Sequence, residues 1–298
     1  MTDLVTLKNG AAALTLAPDA GGSIARYWSE GRGHTVEWLR PASAVALKRR
    51  APLDMSCFPL VPYSGRICDG RFRFGGRDVV LPLNFLPEPH SIHGQGWLMP
   101  WRVVRATEAA ATLEYRHAAD DWPWTYRAVQ EFTLERNRLT LAMALSNEGP
   151  GPMPAGLGPH PYFVRTPKAT VTAGIGQMWP DDAENMPTKP VDPPATHDLR
   201  KSVRADGVAM DNCFSGWDRK AVIEWPEWKA RLTMTADAPL DFLVVYTPAK
   251  HDFFCVEPVT HAPDAVNNVN AGRADTGFQI LEQGATMRVV VQFDIEVL

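Results

Sequence analysis

The 298-residue sequence lacks the features that direct a chain to a membrane or mark it for export. Its first ten residues, MTDLVTLKNG, contain neither the basic region nor the apolar region of a signal peptide. No stretch approaches the run of about 18 apolar residues that a membrane-spanning helix needs. We therefore predict a cytoplasmic protein that does not use the membrane as a partner.

Positive charge is also in short supply. The chain has 30 Lys and Arg residues against 34 Asp and Glu residues, which gives a net charge of −4, and no basic stripe is present. Proteins that bind nucleic acid neutralise phosphates with clustered Lys and Arg. Nucleic acid is therefore not predicted as a partner.

Paired cysteines and the common catalytic loops are missing as well. Cys57, Cys68, Cys213 and Cys255 are far apart and form no C-x-x-C pair, so we predict free reduced thiols rather than a zinc knuckle or redox centre. No G-x-S-x-G turn is present, which argues against a serine hydrolase of that type. Neither a glycine-rich dinucleotide loop nor a βαβ alternation occurs.

What the sequence does contain is proline and short β patterns. Its 26 prolines make about 9% of the chain against a typical ~5%, which disfavours long helices. Asn9-Gly10 and Gly75-Gly76 each lie between β-prone runs and predict hairpin turns. The segment 101–118 predicts two strands, although its alanines also allow a helix. The 174–200 segment, rich in Pro, Asp and Asn, predicts a long surface excursion.

Many short strands separated by turns predict an all-β fold, an antiparallel sandwich or barrel-like architecture with few short helices. No linker or internal repeat divides the chain, so we predict a single domain over residues 1–298.

Five short stretches place polar side chains at strand ends or in Pro/Gly loops, where a β scaffold carries its sites. An apolar strand that ends abruptly at Glu257-Pro258 is the most conspicuous of them. The stretches and their polar residues are PLVPYSGRI with Arg66, EPHSIHGQGW with His90 and His93, GLGPHPYF with His160, AMDNCF with Asp211, and FFCVEPVTHAPDAVN with Glu257.

These residues allow several kinds of site. His90-x-x-His93 with His160 is a possible metal set, but it lacks the helical H-E-x-x-H context, and we predict no metal. Glu257 and Asp211 are possible glycosidase carboxylates, although that chemistry leaves the histidines without a role. Each residue taken alone also fits a structural role in a turn or loop.

In their order along the chain, the five stretches resemble the motifs of the aldose 1-epimerase (galactose mutarotase) family. PYSGRI and the hairpin after it are similar to that family's Asn-Arg-Ile segment, and SIHG and GPHPYF are similar to its two histidine motifs. MDNCF resembles its aspartate motif. In CVEPVTHAPDAVN the spacing from the glutamate to Pro-Asp-Ala resembles the glutamate motif.

The resemblance implies a large antiparallel β-sandwich with an open cleft and an enzyme that interconverts the α and β anomers of a free aldose. It implies Glu257 as general base and His160 as general acid, with Arg66, His93 and Asp211 as substrate-binding residues. It implies no cofactor, and a monosaccharide as the small-molecule partner.

Two departures from the family pattern bear on the sugar. Gly65 stands where the family often has Asn, and Pro258 stands where better-known members carry a polar residue. Trp97 and Tyr162 are candidates for an apolar sugar-binding face, and His261 either contacts substrate or fixes its loop.

Two further hypotheses stay open at this point, as do the identity of the sugar and the oligomeric state. One is a hexose-6-phosphate 1-epimerase on the same scaffold, which needs cations near the cleft, the candidates being Arg71, Arg73, Arg77 and Lys168. The other is a non-catalytic sugar-binding module, which has no need of two proton carriers.

Overall fold

A computed structural model describes residues 4–31 and 34–297. Strands dominate it, and the helices are short: α1 Ala44–Arg49, α2 Ala265–Asn270 and the 3-10 turns Pro52–Asp54, Cys68–Gly70 and Pro226–Trp228. The strands are, in chain order, β1 Val5–Asn9, β2 Ala12–Ala17, β3 Ser23–Gly31, β4 His34–Glu37, β5 Cys57–Leu60, β6 Arg66–Ile67, β7 Arg71–Phe74, β8 Arg77–Val80, β9 Ser91–Ile92, β10 Arg102–Ala106, β11 Ala110–His117, β12 Tyr126–Glu135, β13 Arg138–Asn147, β14 Met153–Ala155, β15 Gly158–Val164, β16 Thr170–Ala173, β17 Gln177–Trp179, β18 Val203–Arg204, β19 Asp211–Ser215, β20 Lys220–Trp225, β21 Ala230–Ala236, β22 Phe242–Tyr246, β23 Phe253–Val259, β24 Gln279–Leu281 and β25 Thr286–Val297.

Two large antiparallel sheets contain most of these strands. The first sheet has ten strands in the order β1-β2-β3-β5-β15-β23-β22-β19-β17, with β4 paired to β3. The second has nine, in the order β10-β11-β12-β13-β25-β21-β20-β16-β18. The remaining strands form two-stranded ribbons, β6–β9, β7–β8 and β14–β24. The predicted all-β antiparallel sandwich is confirmed, and both predicted hairpins form, as β1–β2 and β7–β8.

Alternation along the strands builds the core. In β12, every second residue from Tyr126 to Leu134 is buried, as expected for a strand with one face on the core. The main core cluster unites side chains of both sheets, for example Phe163 of the first and Trp225 of the second, whose rings lie 6.5 Å apart. A second cluster occupies the other face of the first sheet and includes Phe58, Tyr162 and Phe253.

The prediction that the strand before Pro258 ends at Glu257 is wrong. β23 is buried along its whole length and continues to Val259, because β22 pairs with it from Cys255 to Val259, placing Val244 opposite Glu257 and Leu243 opposite Pro258. One face of β23 packs on the core between the two large sheets, with Phe254 and Val256. The other face lines the cavity described below, with Phe253, Glu257 and Val259.

The 174–200 segment is more ordered than a loop prediction suggests. It contains β17 and two isolated bridges, Met178 to Val191 and Asp181 to Pro187. Within the described residues, no helix is long and apolar enough to cross a membrane. All four cysteines are free thiols, as predicted.

Candidate active site

A cavity of about 570 Å³ lies on the face of the first sheet that the core does not cover. Its volume is within the range of about 300–1,000 Å³ that is usual for small-molecule sites. Strands β15, β19, β22 and β23 form its floor. Its lining contains all five site residues predicted from the sequence, Arg66, His93, His160, Asp211 and Glu257.

Glu257 and His160 face each other on neighbouring strands. β15 pairs with β23 from Val164 to Tyr162, opposite Phe253 to Cys255. The same register, continued by two residues, brings His160 opposite Glu257. His160 Nε2 lies 3.3 Å from Glu257 Oε1. Both side chains are buried, with 7% and 3% of their surface exposed.

The prolines on either side of His160 open the sheet at this point. The backbone of Tyr162 bonds to Ser56 and Arg40, away from β23, so the alternate residues Pro159 and Pro161 direct their backbone toward β23. Proline has no N–H to donate to a ladder. Regular pairing of β15 with β23 is therefore absent beside Glu257, where the site lies.

Aromatic rings hold the His160 imidazole in one orientation. It stacks on Tyr162 with 4.7 Å between centroids and packs against Phe58 at 4.5 Å. Its Nδ1 is buried and has no hydrogen-bond partner among the described residues, and Nε2 is the ring nitrogen that faces Glu257. The ring contacts with His93, 5.4 Å away and perpendicular, complete the pocket around it.

Burial moves the pKa values of the pair in opposite directions. It raises the pKa of Glu257 well above its ordinary value, helped by the negative charge of Asp211 and opposed by Arg66. Burial lowers the pKa of His160 to about 3, and the charge of Arg40 adds to this. These opposite shifts favour the uncharged pair, protonated Glu257 with neutral His160, over the ion pair.

His93 is fixed as a hydrogen-bond donor toward the cleft. The Gly65 N–H donates to His93 Nδ1 at 3.1 Å, and the His93 N–H donates to the Gly65 carbonyl at 2.9 Å. Burial lowers the pKa of His93, with further contributions from His160 and Arg66. The neutral ring with an acceptor Nδ1 carries its proton on Nε2.

Gly65, the first departure from the family pattern, suits this contact. Its φ is +64°, and a Cβ there would lie 3.1 Å from the Pro263 side chain. A larger residue would strain the backbone and press on Pro263, so at this position the chain keeps a backbone contact to His93 in place of a side chain.

Arg66 stands between two carboxylates. Its Nε lies 3.4 Å from Glu88 Oε1, and its Nη2 lies 3.4 Å from Asp211 Oδ2. Burial opposes its charge, but Asp211 and Glu88 outweigh that effect and raise the pKa of Arg66. Burial raises the pKa of Asp211, and Arg66 opposes the rise. The predicted Arg66 and Asp211 are thus joined, and Glu88 is a partner that the sequence analysis missed.

Arg40, also missed, braces the aromatic floor. Its guanidinium lies over the rings of Tyr162 and Phe253, 4.3 and 4.6 Å from their centroids, which is cation–π geometry. Its Nη2 donates to the carbonyls of Leu53 and Met55, both at 2.8 Å. No sequence motif marks this residue, because its role depends on β15 and β23 bringing Tyr162 and Phe253 together beneath it.

Trp97 and His90, which the sequence analysis singled out, do not line the cavity. Trp97 is buried behind Phe58, stacked at 5.3 Å, and does not line the cavity, whereas Tyr162 does. His90 Nδ1 accepts from the Asp69 N–H, and its Nε2 contacts the Glu184 carbonyl. The His90–His93–His160 metal set therefore does not form, because His90 belongs to a separate loop network.

His261 fixes its loop. Its Nε2 accepts from the Ser64 N–H at 3.3 Å, and its Nδ1 lies 2.8 Å from the Ala262 carbonyl. Both ring nitrogens are engaged by backbone, which leaves none for a ligand.

Two groups of atoms in the described part of the chain are close enough to consider as metal ligands. One comprises Cys68, Asp69 and His90, whose ring nitrogens are both engaged, and the other comprises His160, Cys255 and Glu257, with donor atoms within 4.8 Å of one another. Burial raises the pKa of the Cys255 thiol well above its ordinary value, and the charge of Glu257 adds to this.

Comparison with known proteins agrees with this architecture. The sequence model of the Aldose_epim family, described as aldose 1-epimerase, matches residues 3–294. The uncharacterized protein YphB of Escherichia coli (strain K12) is 32% identical over 269 residues, covering 88% of this chain and 89% of that protein.

Solved structures share the fold. The crystal structure of an E. coli K12 protein named as a "putative aldose 1-epimerase" matches with a TM-score of 0.89 and 28% identity, covering 99% of both chains. A galactose mutarotase-like protein from Clostridium acetobutylicum matches with a TM-score of 0.86 and 21% identity, covering 98% of this chain and 95% of its own. With the family model spanning nearly the whole sequence, the chain belongs to the aldose 1-epimerase family.

Proposed function

We propose that this protein is an aldose 1-epimerase that interconverts the α and β anomers of a free, neutral aldose. The observation that carries the proposal is the Glu257–His160 pair, 3.3 Å apart and buried at the floor of an open cavity. Anomer exchange consists of two proton transfers with no electron or group transfer. A paired carboxyl and imidazole supply both.

In the proposed mechanism, Glu257 removes the proton from the C1 hydroxyl while His160 delivers a proton to the ring oxygen. The C1–O5 bond breaks, and the C1 hydroxyl becomes a carbonyl. Rotation about the C1–C2 bond exposes the other face of that carbonyl. The two groups then reverse their roles, and the ring closes as the other anomer.

The shared proton suits this cycle. Before ring opening the pair is ionised Glu257 and protonated His160, and after ring opening it is protonated Glu257 and neutral His160. Burial favours the uncharged pair, as the directions of both pKa shifts show. Ring opening therefore converts the charged pair into the uncharged pair, and no proton has to come from solvent.

The predicted binding residues have matching chemistry. Arg66 offers a planar set of donors to hydroxyls or to the ring oxygen, and His93 offers an Nε2–H. Asp211 accepts from sugar hydroxyls while it holds Arg66. Tyr162 supplies the apolar face.

Charge argues for a neutral sugar over a hexose 6-phosphate. None of the four candidate phosphate-binding cations is among the residues that line the cavity. Arg71 and Lys168 are exposed, Arg73 pairs with Asp78, and Arg77 lies over the ring of Trp124. A non-catalytic module would need sugar hydroxyl contacts but not two buried proton carriers.

The test is a panel of freshly dissolved single-anomer sugars followed by polarimetry or NMR, with neutral hexoses, pentoses and hexose 6-phosphates. We expect protein-dependent acceleration for at least one neutral aldose and little for the phosphates. Preference for a phosphate would move the assignment to the hexose-6-phosphate epimerase. Tight sugar binding without acceleration would identify a binding module.

The pH profile gives a further prediction. Activity requires one proton on the pair, so kcat/KM falls on the alkaline side as Glu257 loses its proton at its raised pKa. Asp211→Asn removes a negative charge that raises this pKa and also frees Arg66 to lower it. We expect the alkaline limb to move to lower pH, measured as kcat/KM against pH. Asp252→Asn is the matched control, because Asp252 also lines the cavity but is not among the charges that shift the pKa of Glu257. An alkaline limb at the same pH in wild type and Asp211→Asn would contradict the coupling.

A further inference from the structure

We propose that Asp181 is a substrate-binding residue that accepts hydrogen bonds from sugar hydroxyls and makes the cleft select against anionic sugars. This inference rests on the proposed function and specifies its substrate class. Asp181 belongs to none of the motifs found in the sequence.

The backbone around Asp181 is held in place at the edge of the cavity. Asp181 lies two residues after the end of β17 and forms a bridge with Pro187. The N–H and the hydroxyl of Thr188 both donate to the Pro180 carbonyl at 2.7 Å. Preceding it, Trp179 is fully buried and its carbonyl accepts from Asn212 at 3.2 Å. Asp181 thus lines the cavity from a fixed position.

Among the residues that the structure describes, the carboxyl of Asp181 lacks a cationic partner, unlike the other carboxyls near Arg66 in the cavity. Three carboxyls, those of Glu88, Asp181 and Asp211, lie around the single guanidinium of Arg66, which bonds to the other two. Within the described ranges, no side chain or backbone N–H donates to the Asp181 carboxyl. A half-buried carboxylate without a donor is unfavourable, so hydroxyl groups of a ligand would be its natural partners.

The electrostatic surroundings agree with this assignment. Burial raises the pKa of Asp181 to about 7, Asp211 raises it further, Arg66 opposes the rise, and Asp182 contributes in the same direction as Asp211. Asp181 in turn contributes to the raised pKa values of Arg66 and of the buried thiol of Cys213. As pH rises through about 7, Asp181 becomes ionised and a negatively charged sugar meets an additional like charge.

The matched pair of variants is Asp181→Asn and Asp182→Asn. They make the same change in charge at adjacent positions, but Asp182 is exposed, does not line the cavity and accepts from the backbone of Glu184 and Met186. The probes are a neutral hexose and the hexuronic acid of the same configuration. The measured quantity is the ratio of kcat/KM for the acid to kcat/KM for the neutral sugar.

We expect this ratio to fall as pH rises through about 7 in the wild type. In Asp181→Asn it should increase by about tenfold above that pH and lose its pH dependence, since one like charge near the ligand has gone. Asp182→Asn should keep a pH-dependent ratio of wild-type size, with the fall moved to somewhat lower pH because Asp182 no longer raises the pKa of Asp181. An unchanged ratio in Asp181→Asn, or an equal change in both variants, would overturn the proposal.

Direct binding separates this proposal from the proposed function. Isothermal titration of the same two sugars into wild type and both variants measures their relative affinities without any turnover. If anomer exchange is absent but Asp181→Asn alone gains affinity for the acid, the epimerase proposal fails while the role of Asp181 stands. If exchange is present and the relative affinities are the same in all three proteins, the role of Asp181 fails.

Discussion

Glu257→Gln is expected to lower kcat/KM for anomer exchange by about 10²–10⁴-fold, the usual contribution of a well-placed acid–base group. Glutamine has nearly the shape of a protonated glutamate but cannot take up and return a proton. The buried position, 3.3 Å from His160 Nε2, leaves no other carboxylate in direct contact with that nitrogen among the described residues. Polarimetry on a single-anomer aldose measures the effect.

The fold should tolerate this change. Because burial raises the pKa of Glu257, the folded wild type resists ionising it, and its stability falls as pH rises above the ordinary carboxyl pKa. The variant has no such group, so its unfolding temperature at neutral pH should equal or exceed that of the wild type. Wild-type activity in a well-folded Glu257→Gln protein would remove Glu257 from the mechanism.

His160→Asn is expected to cause a loss of similar size, about 10²–10⁴-fold, because the ring oxygen then has no proton donor. Asparagine is shorter than histidine and does not reach the Nε2 position. It also loses the ring contacts with Phe58 and Tyr162, each worth about 0.5–1.5 kcal/mol. The variant should therefore be less stable and must be assayed well below its unfolding transition.

His160→Gln separates chemistry from packing. The glutamine amide reaches toward the Nε2 position and keeps a polar contact with Glu257, but it does not exchange protons in the required way. We expect it to be as slow as His160→Asn. If His160→Gln kept most of the wild-type rate, His160 would serve to position the sugar and the proton donor would lie elsewhere.

Local patterns in the sequence predicted much of the fold. The Asn9-Gly10 and Gly75-Gly76 turns formed hairpins, since a short turn and its two strands are specified by adjacent residues. The alanine-rich 101–118 segment formed β10 and β11, with packing deciding what composition left open. Which strands become neighbours was not predictable, because β15 and β23 are about a hundred residues apart.

The strand end at Glu257 shows the same limit. Pro258 was interpreted as a terminator, but proline stops a strand only where its missing N–H would be needed by a neighbour. Pro159 and Pro161 on β15 leave that side without a ladder, and β22 pairs with the other side. That arrangement depends on the tertiary structure.

The site divides in a similar way. His160 and Glu257 were found from the sequence because they lie in distinctive Pro/Gly motifs, whereas Arg40 lies outside those motifs. Glu88 begins the stretch EPHSIHGQGW but was missed because its role depends on the contact with Arg66 in the folded chain. Trp97 belongs to the motif EPHSIHGQGW but packs behind Phe58, away from the cavity. The only sequence feature that could have indicated Asp181 as a cavity residue is its position in the Pro-rich 174–200 segment, which was predicted as a long surface excursion.

The measurement that tests the account most directly is a double-mutant cycle on the Glu257–His160 pair. Wild type, Glu257→Gln, His160→Gln and the double variant are compared for the rate of anomer exchange of one neutral aldose at neutral pH. If the two groups pass one proton as a unit, the double variant will be about as slow as the slower single variant. A wild type that gives no acceleration, or a double variant that loses the product of the two single effects, would contradict it.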